Sequence, residues 1–186
     1  LTDFCTKLYD DRSFLEELLD VTTEFCLQAV DVRLRGAVDV LWVLDDLAFC
    51  SGPLMRPELL RELWLSRVQG IIQPARDAGI PVVLHSDGNL TRLLPMVVEA
   101  GFDAIHPVEP CDGAFDIYQV KAEFGQELCL FGNIDVAGVL SQGEPDEVRA
   151  EVREHIERLS EGGGYVVSSS HSIQDSIPPQ NFRAML

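Results

Sequence analysis

Residues 79–109, GIPVVLHSDGNLTRLLPMVVEAGFDAIHPVE, carry the information that decides the fold. Between the glycines at 79 and 101, Pro81–Leu84 is a short apolar run that reads as a strand, and Leu90–Ala100 reads as a helix closed by Gly101. Asp103–His106 then reads as a second strand. A helix between two apolar strands, with no two-residue hairpin signal, predicts a parallel β-α-β unit.

The same grammar extends both ways. Upstream, Ser13 is predicted to cap a helix that turns Phe14, Leu15, Leu18, Leu19, Phe25, Leu27 and Val30 toward a core. Val38–Leu44 follows as a strand apolar enough to be covered on both faces. Pro57–Ala78 is a long helix with Pro at its start and Gly79 at its end. Downstream come a helix over Phe115–Phe124, a strand over Leu128–Phe131, an acidic helix over Pro145–Leu159, and a strand over Tyr165–Val167. Gly162, Gly163 and Gly164 precede that strand, so they read as a helix-to-strand turn; a phosphate-binding loop follows a strand. The prediction is an α/β protein of about five parallel strands. These fit an open doubly wound sheet or part of a (β/α)8 barrel, whose complete form needs ~250 residues.

The 186 residues read as a single domain, and Leu1 and Leu186 read as cut ends. Fourteen basic against thirty-one acidic residues give a net charge of −17, which repels nucleic acid and anionic membranes. No apolar run has the length of a membrane span. Cysteines at 5, 26, 50, 111 and 129 are odd in number and lack a CxxC pair, so a cytoplasmic protein with free thiols is expected.

Both architectures bind ligands at the carboxyl ends of their strands. At those positions stand Asp45-Asp46, His85-Ser86-Asp87-Gly88-Asn89, His106-Pro107-Val108-Glu109, Gly132-Asn133-Ile134-Asp135 and Ser168-Ser169-Ser170-His171. His85 and Asp87, two apart at a strand end, can face one side and suit Zn²⁺ or another divalent cation, with His171 as a third ligand and Asp46 or Glu109 as a fourth. Alternatively His85 orients a substrate or loop while Asp87 caps the helix that follows. His171, Asp46 and His85 are the catalytic candidates. Asp45, Glu109, Asn133 and Asp135 are the substrate-binding ones. Asp135 also reads as an N-cap. Ser168, Ser169 and Ser170 read as loop-satisfying hydroxyls because no G-x-S-x-G elbow is present. The fourth histidine, His155, reads as a solvated helix residue.

Taken jointly, residues 44–65 (LDDLAFCSGPLMRPELLRELWL), 79–90, 101–110, 128–148 (LCLFGNIDVAGVLSQGEPDEV) and 162–185 (GGGYVVSSSHSIQDSIPPQNFRAM) resemble the uroporphyrinogen decarboxylase family. That family includes corrinoid-protein methyltransferases. The resemblance implies a TIM barrel of which this chain is the C-terminal portion, the N-terminal strands carrying the decarboxylases' substrate-holding arginines and aspartate. Methyltransferases of the family bind zinc through a His-x-Cys pair and a later cysteine. Here His85-Ser86-Asp87 keeps the histidine and replaces the cysteine by aspartate, and His171 stands where the later cysteine would be. Decarboxylases carry a histidine there, before a glycine that this chain lacks. The histidine-x-aspartate pair is foreign to decarboxylases, so the resemblance leans toward a methyltransferase-like enzyme, with a porphyrinogen carboxy-lyase as the alternative and a non-catalytic tetrapyrrole- or partner-binding chain as the third. No nucleotide cofactor is implied. The chain lacks a D-x-H-x-x-G motif, so a corrinoid would arrive on a partner protein. Open strand edges predict a homo-oligomer or closure by a missing N-terminal segment.

Overall fold

Five of the apolar runs pair side by side in the computed structural model, which describes residues 2–186. In chain order the elements are α1 (Thr2–Asp10), α2 (Arg12–Leu34), β1 (Leu41–Leu44), a small hairpin of β2 (Ala48–Phe49) and β3 (Gly52–Pro53), and α3 (Pro57–Leu60). A π turn, Arg61–Leu65, carries α3 into α4 (Ser66–Asp77), followed by β4 (Val82–His85), α5 (Leu94–Ala100), β5 (Ala104–His106) and a 3₁₀ turn at Cys111–Gly113. The remainder is α6 (Ile117–Phe124), β6 (Cys129–Ile134), α7 (Val139–Gln142), α8 (Pro145–Leu159), β7 (Tyr165–Ser169) and α9 (Pro179–Met185).

The five long strands are all parallel and lie in the order β1-β4-β5-β6-β7. Spatial order therefore follows chain order without the reversal that defines a doubly wound sheet. A monotonic order of this kind is how a (β/α)8 barrel is laid down. β1 and β7 are its two free edges.

Side-chain alternation sorts each strand into a helix face and a concave face. Val82, Leu84, Ile105 and Leu130 turn to the helices and are essentially inaccessible to solvent. Their neighbours on the opposite face include Trp42, His85, His106 and Phe131. Trp42, His106 and Phe131 make edge-on ring contacts with centroids 4.8–5.8 Å apart. The core is thus apolar on one side, while the other presents two adjacent histidines at the same register, His85 opposite His106.

Four sequence expectations need correction here. The N-cap of α2 is Asp11, whose carboxylate accepts from the Phe14 amide, and not Ser13. Of the apolar residues assigned to that helix's buried face, Leu15 and Val30 are buried but Phe14, Leu18, Phe25 and Leu27 are exposed. The apolar face of α2 is wider than the surface that α4 and the sheet offer it. Strand β1 begins only at Leu41 and is half open, because it lies at the sheet edge and not between two neighbours; Leu44 is 72% exposed. Beyond these three corrections, the β2–β3 hairpin is an element on which the sequence places no expectation, since its turn is Cys50-Ser51 and not an Asn-Gly or Asp-Gly pair.

The cysteines give the fourth correction. Cys50 in that hairpin turn and Cys111 in the turn after β5 form a disulfide, with Cα atoms 4.9 Å apart across 61 residues. The chain folds the two loops onto one another, a proximity that no local spacing encodes. Cys26 and Cys129 are free thiols.

Candidate functional site

The site is built from what β1, β4, β5 and β7 deliver at their carboxyl ends. Ser86, fully buried, accepts the Leu47 amide on its hydroxyl at 2.9 Å and so binds the turn after β1 to the turn after β4. The Asp87 amide donates to the Asp46 carboxylate at 3.0 Å, and the Gly88 amide to the Glu109 carboxylate at 2.7 Å. Gly88 is closed in from the other side by the backbone of Ala48 and Phe49. The His-Ser-Asp-Gly run is thereby fixed from three directions, and Asp87 has little freedom of position.

Within this frame Asp46, His85 and Asp87 bring ligand-type atoms within 4.8 Å of one another. His171 stands beside them, its Nε2 3.4 Å from Asp87 Oδ2. These four are the predicted catalytic and metal-binding residues, and they converge. Asp87 does not cap the following helix, whose N-cap, Leu93, has no side-chain hydrogen bond; Asn89 closes the intervening turn by accepting both the amide and the hydroxyl of Thr91. Two buried polar atoms at this place have no hydrogen-bond partner, Asp87 Oδ1 and His171 Nδ1. A buried carboxylate oxygen without a donor is costly to keep, about 1–3 kcal/mol or more for a charged group, and a cation relieves that cost.

His106 stands on the rim in the sequence without a motif that assigns it a role. Its Nδ1 lies 2.8 Å from His85 Nδ1, so one ring donates and the other accepts. Burial pushes the His106 pKa down, and the neighbouring His85 lowers it further. The contact couples the tautomers of the two rings: when His85 donates from Nδ1 to His106, the lone pair of His85 Nε2 is open to another ligand. Equal register on neighbouring strands is the signal for it.

The substrate-binding candidates separate. The Asp45 carboxylate accepts from Trp64 Nε1 at 2.7 Å and, with Asp46 beside it, lines an apolar cavity of about 320 Å³ between α2, β1 and α4. Burial raises its pKa, Trp64 opposes that, and Asp46 adds to the rise. Glu109 stays at the rim as the anchor of Gly88. Asn133 and Asp135 are drawn to the helix side, where with Tyr118, Glu151 and His155 they line a second cavity of about 300 Å³. Asp135 accepts the Ala137 amide at 2.9 Å, a turn contact and not a helix cap, since α7 begins after Gly138.

His155 is not the solvated residue its acidic surroundings implied. It lies on the buried face of α8, with Nε2 2.7 Å from Asn133 Oδ1 and Nδ1 2.9 Å from the Glu151 carbonyl. Strand β6 runs three residues beyond the predicted Phe131, and Asn133 in this extension is the residue that meets His155. Burial pushes the His155 pKa down, opposed by the Glu151 carbonyl. The unfolded chain thus takes up a proton near the ordinary histidine value of about 6.5, and the folded protein only below it. His155 then favours the fold fully above about pH 6.5 and progressively less as pH falls. The urea midpoint is expected to drop more steeply between about pH 7 and pH 5 in the wild type than in His155→Gln. Parallel profiles would exclude His155 as a source of that dependence.

Parallel strands in monotonic order, each pair joined through a helix, define a protein of the TIM-barrel class, and its ionisable groups gather at the carboxyl ends of those strands. Comparison with known proteins narrows the class. The chain belongs to the uroporphyrinogen decarboxylase (URO-D) family, whose model matches residues 1–186. It is 24% identical over 179 residues to a uroporphyrinogen decarboxylase of Hydrogenovibrio crunogenus, covering 96% of this chain and 49% of that protein. It is 26% identical over 171 residues to the methylcobamide:CoM methyltransferase MtaA of Methanosarcina barkeri, covering 92% and 47%. Among solved structures, a methyltransferase from Methanosarcina mazei superposes with a TM-score of 0.78 at 26% identity, over 99% of this chain and 51% of that one. The chain spans about half the length of the relatives it matches. Its fold is that of a URO-D-like TIM barrel, represented here by five parallel strands and their covering helices. No helix among the described residues is long and apolar enough to cross a membrane.

Proposed function

We propose that the chain is the C-terminal portion of a methyltransferase-like member of the URO-D family, in which Asp46, His85, Asp87 and His171 hold a divalent cation at the barrel rim. The observation that carries this reading is the convergence of the four side chains around two buried, unpartnered polar atoms, Asp87 Oδ1 and His171 Nδ1. Two carboxylates and two imidazoles form an oxygen and nitrogen donor set that suits Zn²⁺, and equally Mn²⁺ or Fe²⁺, better than a softer ion. A cation bound there would act as a Lewis acid toward a substrate oxygen or thiol.

The protein's own residues would perform the remaining work. Asp46 holds the Asp87 backbone in place, His106 couples its tautomer to that of His85, and Glu109 holds the loop through Gly88. His171, half exposed beside Asp87, is positioned to give or take a proton at the edge of the site. Trp42 and Phe131 pack edge-on against His106 and give that ring an apolar flank. The two relatives named as methyltransferases support this reading. A corrinoid would come on a partner protein, and the strands beyond the open β1 and β7 edges from the rest of the barrel or from another copy of the chain.

The test is metal analysis of the purified protein together with methyl transfer from a methylated corrinoid protein to a thiol. About one equivalent of bound divalent metal and metal-dependent transfer are expected. A metal-free protein that decarboxylates uroporphyrinogen would overturn the proposal in favour of the carboxy-lyase reading. Binding of neither metal nor tetrapyrrole would overturn it in favour of a non-catalytic chain.

A further inference from the structure

A second group of ligand-type atoms includes Glu109, the residue that accepts the Gly88 amide next to Asp87. Cys50, Glu109 and Cys111 place one donor atom each within 4.8 Å of one another. They arrive from two separate loops: Cys50 from the exposed β2–β3 turn, and Glu109-Pro110-Cys111 from the loop after β5. Glu109 is already oriented, since one of its oxygens accepts the Gly88 amide at 2.7 Å. Cys111 is buried and held with Asp112 in the left-handed backbone region, at φ of 48° and 53°. Such conformations cost of order 1–3 kcal/mol each and persist where the surroundings enforce them.

We propose that Cys50, Cys111 and Glu109 form a second divalent-cation site, distinct from the histidine–carboxylate cluster and opened only when the Cys50–Cys111 disulfide is reduced. In the oxidised chain the two sulfurs are joined and offer no thiolate. A dithiol reductant supplies two electrons and two protons, becomes a disulfide itself, and leaves two cysteine thiols. Binding of Zn²⁺ then displaces both thiol protons to solvent and forms two metal–sulfur bonds, with the Glu109 carboxylate as the third ligand. Two thiolates and one carboxylate are a zinc-type set with an open fourth position, softer than the set at Asp46, His85 and Asp87. Reducing compartments favour the dithiol form, and Cys50 is exposed to a reductant. Because Gly88 follows Asp87 directly, a cation on Glu109 also bears on the loop that carries Asp87.

Cobalt(II) tests the site without reference to activity, because thiolate ligands give it an intense near-ultraviolet charge-transfer absorption that nitrogen and oxygen ligands do not. Dithiothreitol-reduced wild type is expected to show that absorption, saturating at about one equivalent, with two more thiols titratable than in the diamide-oxidised protein. Oxidised wild type and Cys50→Ser are expected to lack it. Cys50 sits in an exposed turn, so this variant keeps the fold, which circular dichroism checks. Glu109→Gln should keep the absorption but weaken cobalt binding at least about tenfold, in line with the cost of losing a metal-supporting group. No sulfur-to-cobalt absorption in the reduced wild type, or an undiminished one in Cys50→Ser, overturns the proposal. Equal cobalt stoichiometry before and after oxidation also overturns it.

Discussion

Asp87→Ala is expected to weaken binding of a zinc-class cation at least about 100-fold while leaving the thermal midpoint unchanged or higher. The two expectations have one cause. Asp87 Oδ1 is buried without a partner, and the contact of Oδ2 with His171 is 3.4 Å long between side chains that are 29% and 41% exposed. A pair so placed contributes at most about 1 kcal/mol, which the uncompensated oxygen offsets. The backbone amide of residue 87 keeps its bond to Asp46 in the variant. Loss of outer groups that merely orient metal ligands already costs about 10–100-fold in affinity, so removal of a ligand should exceed that. Asp87→Asn, which keeps the shape and loses the charge, should retain the fold and lose most of the cation. Isothermal titration with Zn²⁺ beside a thermal melt reads both quantities. If Asp87→Ala melts several degrees lower and binds Zn²⁺ as the wild type does, the carboxylate serves the fold and not a ligand.

The contrast between a costly side chain and a fixed backbone explains which parts of this molecule are readable in the sequence. Strands Val82–His85 and Ala104–His106 lie within a residue of their predicted positions, because a fully apolar run flanked by glycine-closed helices leaves few alternatives. The residues directly after the strands are legible for the same reason: chain direction alone delivers Asp46, Asp87 and His171 to one rim. What depends on pairing across long separations is not legible. The Cys50–Cys111 bond spans 61 residues, and His155 meets Asn133 in the part of β6 that runs beyond its predicted end. Nor can the strand order be chosen from periodicity, since barrels and doubly wound sheets share the same β-α units. Edge effects are hidden as well. Trp42 and Leu44 look like core residues until β1 is found to have one neighbour.

Gly88 joins these two kinds of information, because it belongs to the legible His-Ser-Asp-Gly run and yet its requirement is set by a distant segment. Its φ is +85°, and a Cβ there would lie 2.5 Å from the Ala48 carbonyl oxygen and 2.8 Å from the Phe49 carbonyl carbon. Both are backbone atoms of the β2–β3 hairpin, which cannot give way as a flexible side chain would. Gly79 supplies the matched control: its φ is +70°, and nothing lies within 4 Å of the place a Cβ would take. Gly79→Ala therefore bears only the left-handed cost of about 1–2 kcal/mol. Gly88→Ala adds the cost of forcing atoms into a filled space, about 1–3 kcal/mol. At roughly 2–4 °C per kcal/mol for a chain of this size, Gly79→Ala should melt about 2–8 °C below the wild type and Gly88→Ala about 4–20 °C below it. The second variant should also lose cation affinity, since moving the hairpin off residue 88 displaces the amide that Glu109 holds and the Asp87 carboxylate beside it. Equal melting shifts for the two alanines would show that the hairpin does not press on Gly88. A large shift with unaltered cation binding would show that Asp87 holds its position without the support of that contact.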